Sequence, residues 1–535
     1  MGQTEIVLLA TFLTSVAAVM GFVWAQSQNL LGFGQKSSEV IFAPGEVGHA
    51  EGDSLHLGND IHSDATQAEL KVRVDADLAS RSPVMWWIGS AAYWLVVGSM
   101  FGLIASVKMH MPDWLVEWSV MTFGRVRPIH LNIVAYGWAS MSGVGVALWM
   151  IPRLLKTPLR GSGFATSGAI LWNVGMVAGI AALFSGWTDG LEWLEFPWQI
   201  DGLFALGGGL AAVPLLLTLR HRKVDHLFVS VWYCGAALLW FPLLFLIANV
   251  PALHFGVEQA TMNWWFAHNV LGLWMTPLAL GAAYYLISKV LGKPVYSYNL
   301  SLIGFWALAL FYNNVGVHHL IGGPVPTWLV SIGIVHSMMM FVPVLSVFVN
   351  HFYTLKGNWR KVWASPTLRF IAIGAMTYTV VSMQGSIEAL RSVNRAVHFT
   401  HYTVAHAHLG VYGFFSMIMF GAIYFLVPRI TGRDWRYPKL ISLHFWLIAI
   451  GFGIYFVFLT IAGVLQGLLM LDATKPFMDS VAVTIPYLQM RSVGGTLMTI
   501  GHFVFAFHLA SMFFNVGPNR YGATQLGRAV KTDIA

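Results

Sequence analysis

The sequence predicts an all-α, polytopic membrane helix bundle, and three observations carry that prediction. Hydrophobic residues make up 57% of the 535 positions and charged ones only 10%, with a mean hydropathy of +0.65, a balance that soluble globular chains of this length do not have. Apolar runs of membrane-spanning length recur from residue 84 to residue 516, with no soluble-domain boundary among them. Lys and Arg collect in alternate short loops, as the positive-inside rule requires of a chain that crosses repeatedly. The 53 glycines suit close helix packing in lipid, and part of the 23 tryptophans suits interfacial anchoring. The net charge of +7 is accounted for by those loops, so nothing points to nucleic acid.

Taken in order, residues 5 to 25 form an apolar run with Glu5 and no basic residue ahead of it, which predicts a retained helix rather than a secretory signal, although Val23-Trp24-Ala25 leaves cleavage open. Residues 26 to 83 hold four Lys or Arg and nine Asp or Glu and read as a loop or small extramembrane element. Residues 1–83 therefore stand apart from 84–535, with the extra helix and acidic segment expected to dock an accessory subunit or aid assembly; His49, His56 and His62 show no metal-ligand spacing. Twelve spans follow, near 84–108, 128–151, 163–185, 200–219, 226–249, 261–289, 299–321, 325–352, 366–386, 400–428, 437–466 and 491–516. The basic loops, among them Arg153 to Arg160 and Arg429 to Lys439, lie on the cytoplasmic side, and the acidic loop Asp189 to Glu195 faces outward.

Histidines enter these spans at one depth. His406 and His408 open an apolar run that ends at Pro428. At about 100° per residue they point some 200° apart, so they cannot serve one metal from one face, and such a helix suits a place between two haems. His130 begins its span at the same outward end. His268 lies near the outer end of another, and His318 and His319 near the outer end of the next, beside Gly316, where a loosened backbone would let both reach one metal. Three neutral imidazoles with an open position suit copper or zinc. A set of intramembrane histidines marks a functional site by default, since burying them otherwise has a cost without a return. The single Cys234 excludes internal disulfides, a Cys-x-x-Cys-His haem attachment and a two-cysteine copper centre within the chain.

Four motifs together resemble the catalytic subunit of cbb-type cytochrome c oxidases, the C-family of the heme-copper oxidases: Phe-Gly-Arg-Val-Arg-Pro-Ile-His at 123–130, His-Asn-Val-Leu-Gly at 268–272, Tyr312 with His318-His319, and His-Ala-His at 406–408. The resemblance covers residues 84 to 516. It implies that His130 and His408 are the axial ligands of a low-spin haem b, that His406 is the axial ligand of a high-spin haem b, and that His268, His318 and His319 hold copper. It implies that Tyr312 is the active-site phenol, linked covalently to His268, since other branches carry that tyrosine where this chain has Gly272. It gives Glu192 the choice of an ordinary loop charge or a calcium ligand, and Arg127 and Arg491 the choice of interfacial anchors or haem-propionate partners.

The implied function is reduction of dioxygen to water with electrons from membrane-anchored c-type cytochromes, in a bacterial inner membrane, coupled to proton translocation. The alternatives are a nitric oxide reductase of the same superfamily, which needs a glutamate four residues after the first metal histidine where Gly272 stands, and a non-catalytic haem-binding protein of the membrane. One departure bears on proton supply: the family's glutamate ahead of the His-x-His helix is matched here by Gln384, whose amide cannot titrate. Tyr298 and Ser301, on the cytoplasmic end of the Tyr312 span, are the remaining candidates for an inward path.

Overall fold

The structure is a computed structural model, and it describes residues 67–249 and 253–514. The run at 5–25 and the histidines at 49, 56 and 62 lie outside the described residues. Within them, twelve helices are long and apolar enough to cross a membrane. We number them α1 (Gln67–Lys108), α2 (Phe123–Leu154), α3 (Ser162–Ser185), α4 (Trp198–Arg220), α5 (Val229–Asn249), α6 (Gly256–Leu291), α7 (Tyr298–Leu320), α8 (Thr327–Leu355), α9 (Pro366–Glu388), α10 (His401–Thr431), α11 (Pro438–Leu471) and α12 (Phe477–Phe513).

Local chemistry sets the ends of these spans. Ser297, Ser365 and Thr400 cap α7, α9 and α10 by accepting hydrogen bonds from the backbone N–H groups of Leu300, Leu368 and Tyr402 at 3.2, 3.1 and 3.2 Å. Pro366 follows its cap at the first helical position, where the missing N–H has no partner to lose. Gly292 and Gly432 end α6 and α10 with φ of 65° and 69°, a conformation with little penalty for glycine.

Burial sorts the spans. The most apolar windows of α2 and α10 are 94% buried and that of α6 is 89%, against 39–56% for the others. The three central helices are thus those that bring His130, His268, His406 and His408 to the middle of the bundle, while the outer helices present apolar side chains such as Leu246, Ile450 and Phe507 to lipid.

α1 differs from its expected extent. It is continuous from Gln67 through Pro83 to Lys108, so the polar residues ahead of 84 extend the first span as helix rather than forming a loop. The reason is a buried ion pair. Asp77 accepts from Arg153 Nη1 at 2.7 Å on each carboxylate oxygen and from Trp149 Nε1 at 2.8 Å, and Arg153 Nε donates to the Tyr285 hydroxyl at 3.1 Å. With side chains 3% and 0% exposed, the guanidinium and carboxylate satisfy one another between the first turns of α1 and the last turn of α2.

Candidate metal centre

Every stretch that carries a predicted ligand leaves α-helical register close to its histidine. π-helical segments follow His130 (Ile133–Ser140), His268 (Val270–Met275) and His408 (Leu409–Ser416), and the end of α7 is a 3-10 helix, Tyr312–Leu320. The last has a direct consequence. Six α-helical residues turn a side chain by about 240° net, but at three residues per turn Tyr312 and His318 fall two whole turns apart and face one way. His401–His408 is itself α-helical, so the opposition of His406 and His408 holds.

His268, His318 and His319 come together, with one nitrogen from each ring within 4.8 Å of the others. Ser337 Oγ donates to the Gly333 carbonyl at 2.6 Å and therefore accepts from His318 Nδ1–H at 2.8 Å, which leaves the His318 Nε2 lone pair free for a metal. His319 stacks on Trp264 with ring centroids 4.0 Å apart, and His268 Nδ1 is buried without a partner. An orphaned imidazole nitrogen inside a three-histidine cluster fits a bound cation. Gly316 serves this cluster by close approach: a Cβ there would collide with the Trp264 carbonyl and come within 2.9 Å of His268 Cβ.

The Tyr312 ring lies 5.1 Å from that of His268, directly against Gly272, where a Cβ would overlap it. A glutamate or tyrosine at 272 is incompatible with this packing.

His130 and His408 face one another with ring centroids 6.4 Å apart and planes 14° from parallel. Two metal–nitrogen bonds of about 2 Å and two ring half-widths of about 1 Å sum to about 6 Å, the span of one iron held between two imidazoles. His130 Nδ1–H donates to the Gly98 carbonyl and His408 Nδ1–H to the Val404 carbonyl, both at 2.8 Å, which directs each Nε2 to the ligand position. The Tyr455 hydroxyl, held by Arg491 Nε at 3.0 Å, meets His408 Nε2 at 3.0 Å. Gly102 makes the room: a Cβ there would come within 2.6 Å of the His130 ring.

On the other face of α10, His406 Nδ1 lies 3.4 Å from Gln384 Oε1 and 3.5 Å from Glu388 Oε1. One continuous cavity is lined by all six histidines and by Tyr312, Arg127, Arg491 and Glu192. Arg127 grips Glu192 with both guanidinium nitrogens, at 2.5 and 3.2 Å, so these two candidates are already each other's partners. The neighbouring Glu195 is buried in the loop between α3 and α4, and burial together with the Glu192 charge pushes its carboxyl up to about 7 against the pull of Arg127 and an Asn132 hydrogen bond.

Tyr298 and Ser301 lie outside the cavity lining and donate to the carbonyls of Leu227 and Tyr298, both at 2.6 Å. Three residues near the site escaped sequence reasoning. Glu388 sits four residues after Gln384, on the same helical face, and that spacing was the signal available. Tyr378 is buried on the cavity wall, and Ser337 orients His318 from α8; neither stands in a motif.

Residues 82–497 match the model of the cytochrome c and quinol oxidase polypeptide I family. The chain belongs to this heme-copper oxidase family. Its relatives include the cbb3-type cytochrome c oxidase subunit CcoN1 of Stutzerimonas stutzeri, 30% identical over 80% of this chain and 94% of that one, and cytochrome c oxidase subunit 1 of Rhodobacter capsulatus, 31% identical over 78% and 83%. A nitric oxide reductase polypeptide of Stutzerimonas stutzeri is 26% identical over 76% of this chain and 90% of that one. A cryo-EM structure of a heme-copper terminal oxidase dimer superposes with a TM-score of 0.61 at 18% identity, covering 86% of each chain, and supports the fold.

Proposed function

We propose that this heme-copper oxidase subunit reduces dioxygen to water with electrons from membrane-anchored c-type cytochromes, in a bacterial inner membrane and with coupled proton translocation. The observation that carries the reading is Tyr312 packed on Gly272 beside the three-histidine cluster. It puts a phenol where the other reading, nitric oxide reduction, would need a carboxylate.

In this reading His130 and His408 hold a low-spin haem b, His406 a high-spin haem b, and His268, His318 and His319 a copper ion. When bound, these groups would relay the donor's electrons and give the binding place for a four-electron, four-proton reduction of dioxygen. The chain's own residues do the rest. The carbonyls of Gly98 and Val404 and the hydroxyl of Ser337 fix imidazole tautomers so that lone pairs face the metals. Tyr312 Oη gives up a proton beside His268. Arg491 and Arg127 hold haem propionates, and Glu192 becomes a calcium ligand if the Arg127 pair opens. Gln384 hydrogen-bonds without titrating, so inward protons travel by hydroxyls and water past Tyr298, Ser301 and Tyr378. With no covalent-haem motif and one cysteine, the chain takes its electrons from partner proteins. The residues ahead of Gln67 serve docking or assembly.

The test is turnover of the purified complex with reduced cytochrome c and each gas. Dioxygen consumption with little nitric oxide reduction supports the reading, and nitric oxide reduction without dioxygen consumption overturns it.

A further inference from the structure

A second set of buried imidazoles stands between the His130–His408 pair and the basic loop after α10, and has no part in the chemistry above. His502 on α12 lines the cavity together with Ser99 and Tyr412. Ser99 Oγ donates to the Leu95 carbonyl at 2.6 Å, so it accepts from His502 Nδ1–H at 2.6 Å, and His502 Nε2 is left to accept from the Tyr412 hydroxyl at 2.7 Å. His502 is thereby a neutral imidazole whose basic nitrogen points at a hydroxyl that can turn.

Behind it, His444 on α11 is fully buried, with Nδ1 3.0 Å from the Tyr424 hydroxyl and Nε2 without a partner. It packs against the turn that carries His502, since a Cβ on Gly501 would meet its Cδ2 at 3.5 Å. His508, six residues further along α12, is also fully buried and both its ring nitrogens lack partners. Its ring centroid is 6.2 Å from Tyr424 and 4.5 Å from Trp435, in the basic loop after α10. The order is loop, His508, Tyr424, His444, His502, cavity.

Three orphaned imidazole nitrogens lie on this line. An unpaired buried nitrogen is unfavourable, and internal water is the usual way such groups are satisfied. Packing alone would be served as well by leucine or phenylalanine, which surround the line as Phe420 and Phe505. Histidine adds the ability to take and release a proton near neutral pH.

We propose that this column is a water-bridged proton path from the cytoplasmic side, and that it ends on His502, which takes up a proton when the adjacent low-spin haem is reduced. The inference rests on the functional reading above. In the step, one proton passes from cytoplasmic water to His502 Nε2 as the haem that His130 and His408 would hold is reduced by one electron from the donor cytochrome, and the Tyr412 hydroxyl turns to accept from the new N–H. When the electron moves on, the proton leaves, so the pocket's net charge is the same before and after. Among the described residues, the titratable groups facing His502 are Tyr412 from α10 and His444 from α11, with Ser99 the polar group from α1.

The experiment is a spectroelectrochemical titration of the low-spin haem in the carbon-monoxide-inhibited complex at several pH values, together with dye-detected proton uptake after electron injection. One proton per electron would lower the midpoint by 59 mV per pH unit. His502→Gln can keep both hydrogen bonds but cannot titrate, and it should lose about half or more of the native slope with the haem spectrum intact. His444→Phe should keep the slope and slow proton uptake about tenfold or more. A native slope in His502→Gln overturns the proposal. If that variant does not assemble, unchanged uptake in His444→Phe overturns it. Absence of a bis-histidine haem signal in the unmodified complex would instead refute the functional reading beneath it.

Discussion

Gly272→Ala adds one methyl at the most crowded point of the candidate site. A Cβ there overlaps the Tyr312 ring, far inside the roughly 3.5 Å of ordinary carbon contact, so the ring has to withdraw by more than about 1 Å. Overpacking of this kind costs about 1–3 kcal/mol, which a twelve-span bundle can absorb. The functional penalty is larger, because a misplacement of about 1 Å in a reacting group lowers turnover about 100-fold. The expected result is a complex with both haem signals and native carbon monoxide binding but about 1% of native dioxygen consumption. Gly453→Ala is the control, since a Cβ there meets nothing within 4 Å. Native turnover in Gly272→Ala would refute the claim that the Tyr312 hydroxyl must stand where this packing holds it.

The opposed faces of α10 predict that His408→Ala removes the low-spin haem signal and spares carbon monoxide binding, while His406→Ala does the reverse; loss of the same haem in both would contradict the arrangement. Asp77→Ala leaves the Arg153 guanidinium buried without its carboxylate and should destabilise the fold by about 3–5 kcal/mol, read as a lower denaturation temperature, with partial recovery in Asp77→Ala/Arg153→Leu. Glu195 binds its proton more tightly folded than unfolded, because its carboxyl is raised from 4.5 to about 7, so native stability falls as pH rises through that window. Glu195→Gln should therefore gain in thermal stability over the native complex at about pH 8 relative to about pH 5, and an equal difference at both would show that the raised value is wrong.

Apolar run length located the spans well, since lipid leaves a helix no other way to satisfy its backbone. It failed at the start of α1, where Lys71, Asp75 and Asp77 read as loop: the partner that makes Asp77 tolerable inside the bundle, Arg153, lies 76 residues away on another helix. A deletion meant to probe the N-terminal segment should accordingly stop before Gln67 rather than at 80. The six histidines were legible because an imidazole at membrane depth demands a reason. Their fine geometry was not, because it depends on register. The 3-10 segment that aligns Tyr312 with His318 has no sequence marker, and Gly316 and Gly272, which read as a loosened backbone and a missing tyrosine, turn out to be points where another chain segment touches the helix. Glu192 and Arg127 were singled out separately, and only the tertiary structure pairs them. The histidines at 444, 502 and 508 belong to no motif, and their common line comes from the packing of α10, α11 and α12.

The most direct test of the central claim is haem and metal analysis of the purified complex, joined to reduced-minus-oxidised and carbon monoxide difference spectra. Two b haems and one copper per copy of this chain, with one ferrous haem that binds carbon monoxide and one that does not, are the predicted result. A complex with no carbon-monoxide-reactive haem, or with iron in place of copper at His268, His318 and His319, would contradict it.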